Sequence, residues 1–275
     1  MQPTVLVAAT FDERGREALA LGVMLARPIG ARLVLASVAP QHGRQDGDVL
    51  ADQMSELASR APSDVEISVE VVTSPSPSLL PSLQDLAIEH DAQVLVINPE
   101  HRGVIGRSLH GDSTADAVFS ATCAVALPAR GQAMLAPRLV GVAWSGAQES
   151  YEALEWATQF AQRTAATVQI VRVLDPRHPE GSAPDPGVPE RMEELREATS
   201  PRAQAETRLE WGDAAPVLVE LSRDLDLLVL GSRGRGPLRR TLLGSVSTDV
   251  VHNAHCPVVV LPRGVHATTS AASAR

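Results

Sequence analysis

The sequence predicts two doubly wound α/β domains in one chain, and three observations predict it. Length is the first, because 275 residues give a prior of two domains at roughly 100 to 200 residues each. The second is an internal repeat: Val7-Ala8-Ala9 against Val140-Gly141-Val142, Leu95-Val96-Ile97 against Leu228-Val229-Leu230, Gly111 against Gly244 and Cys123 against Cys256 all keep one offset. Ala18-Leu19 against Ala153-Leu154 departs from it by two residues. The third is alternation, within each half, of short β-branched runs with longer stretches of helical period, the pattern of βαβ units on a parallel sheet.

In the first half the runs Thr4–Ala8, Leu33–Val38, Val65–Val72, Val94–Ile97 and Ala124–Leu127 read as five strands. The second half repeats them as Leu139–Val142, Thr167–Leu174, Arg202–Leu209, Leu227–Leu230 and Val258–Leu261, several apolar throughout as strands covered on both faces should be. Helices are expected at Ser150–Ala165, Pro189–Thr199, Ala215–Asp224 and Ser245–Ala254. In the first of these, Ala153, Leu154, Ala157 and Phe160 alternate with Glu152, Glu155 and Gln159 and form one apolar stripe. Right-handed crossovers are the default for such connections. The stretch Ala129 to Pro137 is the seam, so residues 1–130 and 137–263 are the expected domains, with a frayed Ala/Ser/Thr-rich tail over 264–275.

Composition narrows the chemistry. All 24 basic residues are arginine, so lysine Schiff bases, Walker A lysines and the protein-kinase strand lysine are excluded. A net charge of −9 repels nucleic acid and anionic lipid as a whole-molecule field. Two cysteines make no disulfide framework, and the amino terminus carries no basic region ahead of an apolar run, which together fit a cytoplasmic protein without a membrane span. His252 and His255, three apart near a helix end, lack the companion ligands of a metal site, so a helix-end histidine in contact with the dipole is the simpler expectation. Cys123 and Cys256 read as core thiols. The stretch from Asp175 to Pro189, with five prolines, reads as an irregular loop that either covers a site or packs nowhere.

The most informative segment runs from Gly231 to Ser247, a G-x2-G-x9-G-S spacing directly after an apolar strand. Gly231 and Gly234 leave room for a ligand to approach the main chain. Gly244, Ser245, Val246 and Ser247 open a helix whose N–H groups and dipole suit phosphate oxygens, and Arg233 and Arg235 add charge. The competing account stays open: a tight turn, an N-capping serine and a solvated arginine face.

These residues, with the Arg-Leu-Val-Gly-Val run from Arg138, Trp211-Gly212-Asp213-Ala214-Ala215 and His255-Cys256-Pro257-Val258-Val259-Val260, make the chain resemble the universal stress protein family in its tandem form, over about residues 3–263. The resemblance implies five-stranded parallel sheets of order 3-2-1-4-5, and ATP, with or without Mg, in the motif loop. It also implies pairing of the two halves as an internal pseudo-dimer and further dimerisation of whole chains. Its phosphate and ribose contacts fall on Gly231, Gly234, Gly244, Ser245, Val246 and Ser247, and its adenine-side contacts fall near Val142, Ala143 and Val173. The family's aspartate at the end of the first strand is replaced by Ala143 here and by Thr10 in the first half. Trp144 could stack on a base, although an aromatic at a strand end is more often packed. In the first half the motif positions become Asn98, His101, Gly111 and Asp112, and a carboxylate at Asp112 opposes phosphate. The implied protein is asymmetric, with a degenerate first half and a nucleotide-binding second half acting in stress response or regulation. No nucleophile-elbow or paired acid–base signature supports catalysis. A slow ATPase or phosphotransferase using Arg233 and Arg235, and a ligand-free interaction module, are the alternatives.

Overall fold

The computed structural model describes residues 2–40, 44–74, 80–98, 121–175, 187–232 and 245–262. The chain divides into two compact units, Met1–Leu135 and Ala136–Ala267.

In the first unit, β1 (Thr4–Ala8), β2 (Arg32–Pro40), β3 (Ile67–Ser74), β4 (Ala92–Val96) and β5 (Ala124–Leu127) lie in the order β3-β2-β1-β4-β5, every pair parallel. Three helices are described: α1 (Glu13–Ile29), α2 (Arg44–Ala58) and α3 (Leu80–Glu89). Burial explains the apolar runs, since every residue of β1 is buried and no position could be polar without a partner. Asp12 starts α1 by accepting the Gly15 N–H at 3.0 Å and the Thr10 hydroxyl at 2.7 Å. Gly15 is required there, because a Cβ would overlap the Thr10 carbonyl oxygen. At the opposite edge of the sheet Arg32 donates to the Thr4 hydroxyl at 3.1 Å and lies 3.1 Å from His90 Nδ1.

The second unit repeats the plan with β6 (Leu139–Ala143), β7 (Thr167–Leu174), β8 (Ala205–Trp211), β9 (Leu227–Gly231) and β10 (Val258–Leu261), in the order β8-β7-β6-β9-β10 and again all parallel. Its helices are α4 (Gln148–Thr164), α5 (Val188–Thr199), α6 (Ala214–Leu221) and α7 (Ser245–Asn253). Right-handed crossovers fix their sides: β6 to β7 to β8 moves one way and places α4 and α5 on one face, and the return through β9 to β10 places α6 and α7 on the other. In agreement, α4 packs on β6 and β9, and α6 packs on α7. Asp226 staples the lower end by accepting the Arg138 and Leu139 N–H groups at 2.8 and 3.0 Å.

Both sheets carry the expected order; most boundaries lie within two residues of the expected ones, and two differ by three. The third strand of the second half begins at Ala205 rather than Arg202, because Arg202 closes the turn after α5 with its N–H on the Thr199 carbonyl and its guanidinium on Glu155 at 2.8 and 2.6 Å. The helix expected to reach Asp224 ends at Leu221, where the Ser222 hydroxyl bonds the Val219 carbonyl and takes the His255 N–H. Among the described residues no helix is long and apolar enough to cross a membrane.

Cys123 and Cys256 are core residues, as expected, and burial pushes both thiols up to about 12. The unfolded thiol, with its ordinary value of 9.0, loses its proton first. Stability therefore declines as pH rises from about 9 toward 12, and chemical unfolding of a Cys123→Ala, Cys256→Ala variant will show a flatter alkaline decline. At Asp12, partial burial pulls the carboxyl upward, but the Thr10 hydroxyl, the Gly15 and Arg14 N–H groups and the Arg14 charge outweigh it and hold the group below its ordinary value of 3.8. The cap's contribution is thus present above that value and lost as pH falls through the lowered one. Asp12→Ala will cost about 1 kcal/mol in urea unfolding at pH 7.

Candidate functional site

In the second unit the chain winds outward from β6 in both directions, so a crevice opens at the carboxyl ends of β6 and β9, the place where open α/β sheets bind ligands. Strand register decides which side chains face it. A Cβ at Gly231 would overlap the Glu149 carbonyl in the first turn of α4, so the side-chain direction of Gly231 points to the α4 face. Val229 shares that direction, and so do its partner Val142 and, two residues on, Trp144. Ala143, paired with Leu230 and Val171, faces the opposite side, the side of α6 and α7, together with Val173 and Ser232.

The expected site residues separate accordingly. Ala143 and Val173 are half-buried on the α6 and α7 side, and the buried Ser232, which the motif reading passed over, joins them there. Parity along β9 is the signal that would have found it. The Ser232 N–H is spent on the Leu261 carbonyl at 2.9 Å. Ser245 begins α7 as expected; it is exposed, Val246 is half-buried and Ser247 is buried. Because β9 and β10 are parallel, α7 runs back against them and presents its amino terminus at the edge where β9 ends. Val142 is fully buried on the α4 face, so its side chain stays out of the crevice.

Gly231 differs from the expectation of ligand room. The space a Cβ would take is filled by the main chain of α4, so the glycine serves helix–strand approach. Arg233, Gly234, Arg235 and Gly244 lie outside the described residues, as do His101, Gly111 and Asp112 of the first half and residues 176–186 of the proline-rich stretch.

Behind the crevice, on the α4 face, Trp144 is 4% exposed and packed, as an aromatic at a strand end more often is. Its ring meets Tyr151 edge-on at 5.9 Å, and the Arg172 guanidinium lies 5.7 Å from its centroid. Arg172 also donates to the Ser145 carbonyl at 2.6 Å. α4 itself starts at Ala147, which has no side-chain cap, in contrast to α1. In the first unit the corresponding strand end carries Thr10, whose hydroxyl is engaged by Asp12, and the buried Asn98. His252 sits in the last turn of α7.

Comparison with known proteins places this geometry. The model of the universal stress protein family matches residues 138–262. The universal stress protein Rv2624c of Mycobacterium tuberculosis is 34% identical over 138 residues, 48% of this chain and 50% of that one. Universal stress protein Rv2005c of the same organism is 43% identical over 60 residues, 22% of this chain and 20% of that one. The matched stretch thus spans half the length of the first relative and less of the second. Among solved structures, a universal stress protein from Archaeoglobus fulgidus has a TM-score of 0.66 at 17% identity, covering 95% of this chain and 98% of that one. A putative universal stress protein from Pseudomonas aeruginosa has a TM-score of 0.69 at 15% identity, covering 95% and 93%. At these identities the likeness is one of fold, and it takes in both halves. The second of two units that share a strand order carries a domain of the universal stress protein family over residues 138–262, and the fold of both halves is like that of solved universal stress proteins.

Proposed function

We propose that the second unit binds one adenine nucleotide, ATP, at the carboxyl edge between β6 and β9, and that the chain acts as a nucleotide-responsive stress or regulatory protein. The observation that carries this reading is the convergence on one face of Ala143, Val173 and Ser232 with the amino terminus of α7. Two apolar side chains suit the flat base, while the helix start with Ser245 and Ser247 suits the phosphates. Ligand bound only to the folded state stabilises it, which couples nucleotide level to the population of the native form. The first unit is the silent partner in this reading, because Thr10 and Asp12 are engaged with each other and with the start of α1.

Gly231 favours a second reading, the ligand-free interaction module. Its missing side chain is accounted for by contact with α4, without a ligand.

The deciding measurement is the nucleotide released by denaturing freshly purified protein, beside the melting curve with added ATP. The first reading expects about one ATP per chain and, at a hundredfold excess over Kd, about 2.7 kcal/mol of added stability. Ser245→Asp will abolish both while the unliganded melting temperature holds, since aspartate is well tolerated at a helix start and its charge opposes phosphate. No bound nucleotide and no shift with ATP would leave the interaction module. Separately, Gly231→Ala will cost about 2 kcal/mol in urea unfolding without any ligand, the penalty of overpacking against the Glu149 main chain.

A further inference from the structure

The crevice has no side-chain cap on the turn that forms one of its walls, yet that turn is held. β6 ends at Ala143, the chain passes through Trp144, Ser145 and Gly146, and α4 begins with its first turn against Gly231. One short segment therefore sets both lips of the crevice: Ala143 on the β6 side and, through Glu149, the end of β9. Gly146 is in the left-handed region at φ 83°, which glycine adopts readily. Locally the Ser145 hydroxyl accepts the Ala147 N–H at 3.3 Å and the Ser150 hydroxyl donates to the Ala147 carbonyl at 2.6 Å. Arg172, from the neighbouring strand β7, ties the turn to the sheet from outside it. Its guanidinium donates to the Ser145 carbonyl at 2.6 Å and lies over the buried Trp144 ring, which Tyr151 of α4 braces edge-on at 5.9 Å. A planar fork can bond a carbonyl and cover a ring at once, and an ammonium cannot do both with the same geometry.

We propose that Arg172 is a positioning residue for nucleotide binding: by fixing the turn from Trp144 to Ala147 it holds Ala143 and the first turn of α4 where the crevice can receive the ligand. This rests on the nucleotide reading of the second unit. Arg172 faces the α4 side of the sheet, behind the crevice, and acts through the turn.

The test uses the full chain and ATP as the probe, with Arg172→Met, which keeps an apolar stem over the ring, and Arg172→Lys, which keeps the charge. Calorimetry is expected to show ATP affinity weakened about tenfold in both, the equivalent of one charge-assisted hydrogen bond's contribution. In a Trp156→Phe, Trp211→Phe background, in which Trp144 is the remaining indole, its fluorescence will respond to ATP with Arg172 present and lose that response in Arg172→Met. A merely structural role gives a different pattern. Melting temperature would fall, while the affinity of the folded protein stayed within about twofold of the unsubstituted chain, or Arg172→Lys would restore it, and either result overturns the proposal. If the unsubstituted chain binds no ATP, the nucleotide reading falls and this inference falls with it. Binding by the unsubstituted chain with unchanged affinity in Arg172→Met removes this inference alone.

Discussion

Burial of a central parallel strand on both faces is the constraint from which the rest of each unit follows. β6 has β7 on one flank and β9 on the other, helices above and below, and no route to water for a main-chain group except at its ends. Its hydrogen bonds must then be made by neighbouring strands, its side chains must be apolar, and its connections must be crossovers of one hand. The crevice at the carboxyl edge is a by-product of the same winding. Sequence freedom is left mainly at the strand ends, where Ala143, Trp144, Gly231 and Ser232 stand.

The two units meet the strand-to-helix turn in different ways. In the first, Asp12 caps α1 and Gly15 lets the helix press on the Thr10 carbonyl. In the second, the cap is missing, the close approach is made by Gly231 from the far side, and Arg172 restrains the turn from the adjacent strand. One fold thus tolerates two local solutions, because what the sheet requires is that the helix start be fixed, and the means can be a carboxylate on the chain itself or a guanidinium reaching over.

How much was legible in the sequence follows from the range of each interaction. Strand and helix identity came from local runs and period, and the repeat at constant offset gave the domain plan; even Ser245 as the first residue of α7 was readable from its glycine-serine context. The start of β8 was misplaced because Arg202 looks like strand until its pairing with Glu155, far back in the chain, is known. The reason for Gly231 was hidden for the same cause: a glycine before a glycine-rich segment resembles ligand room, and its actual neighbour, Glu149, is remote in sequence. Arg172 gave no signal of its own role, since its partners, the Ser145 carbonyl and the Trp144 ring, lie far back in the chain.

The two thiols carry a last implication. Cys123 and Cys256 stand at equivalent places, each ahead of the final strand of its unit, sealed from solvent and held protonated. An alkylating or oxidising reagent reaches them only when that margin of the sheet opens, so the rate of modification becomes a clock for opening, in the manner of hydrogen exchange. One cysteine in each unit makes the clock separately legible by mass spectrometry of the two peptides. The chain therefore carries a built-in pair of reporters on whether its halves come apart together or singly.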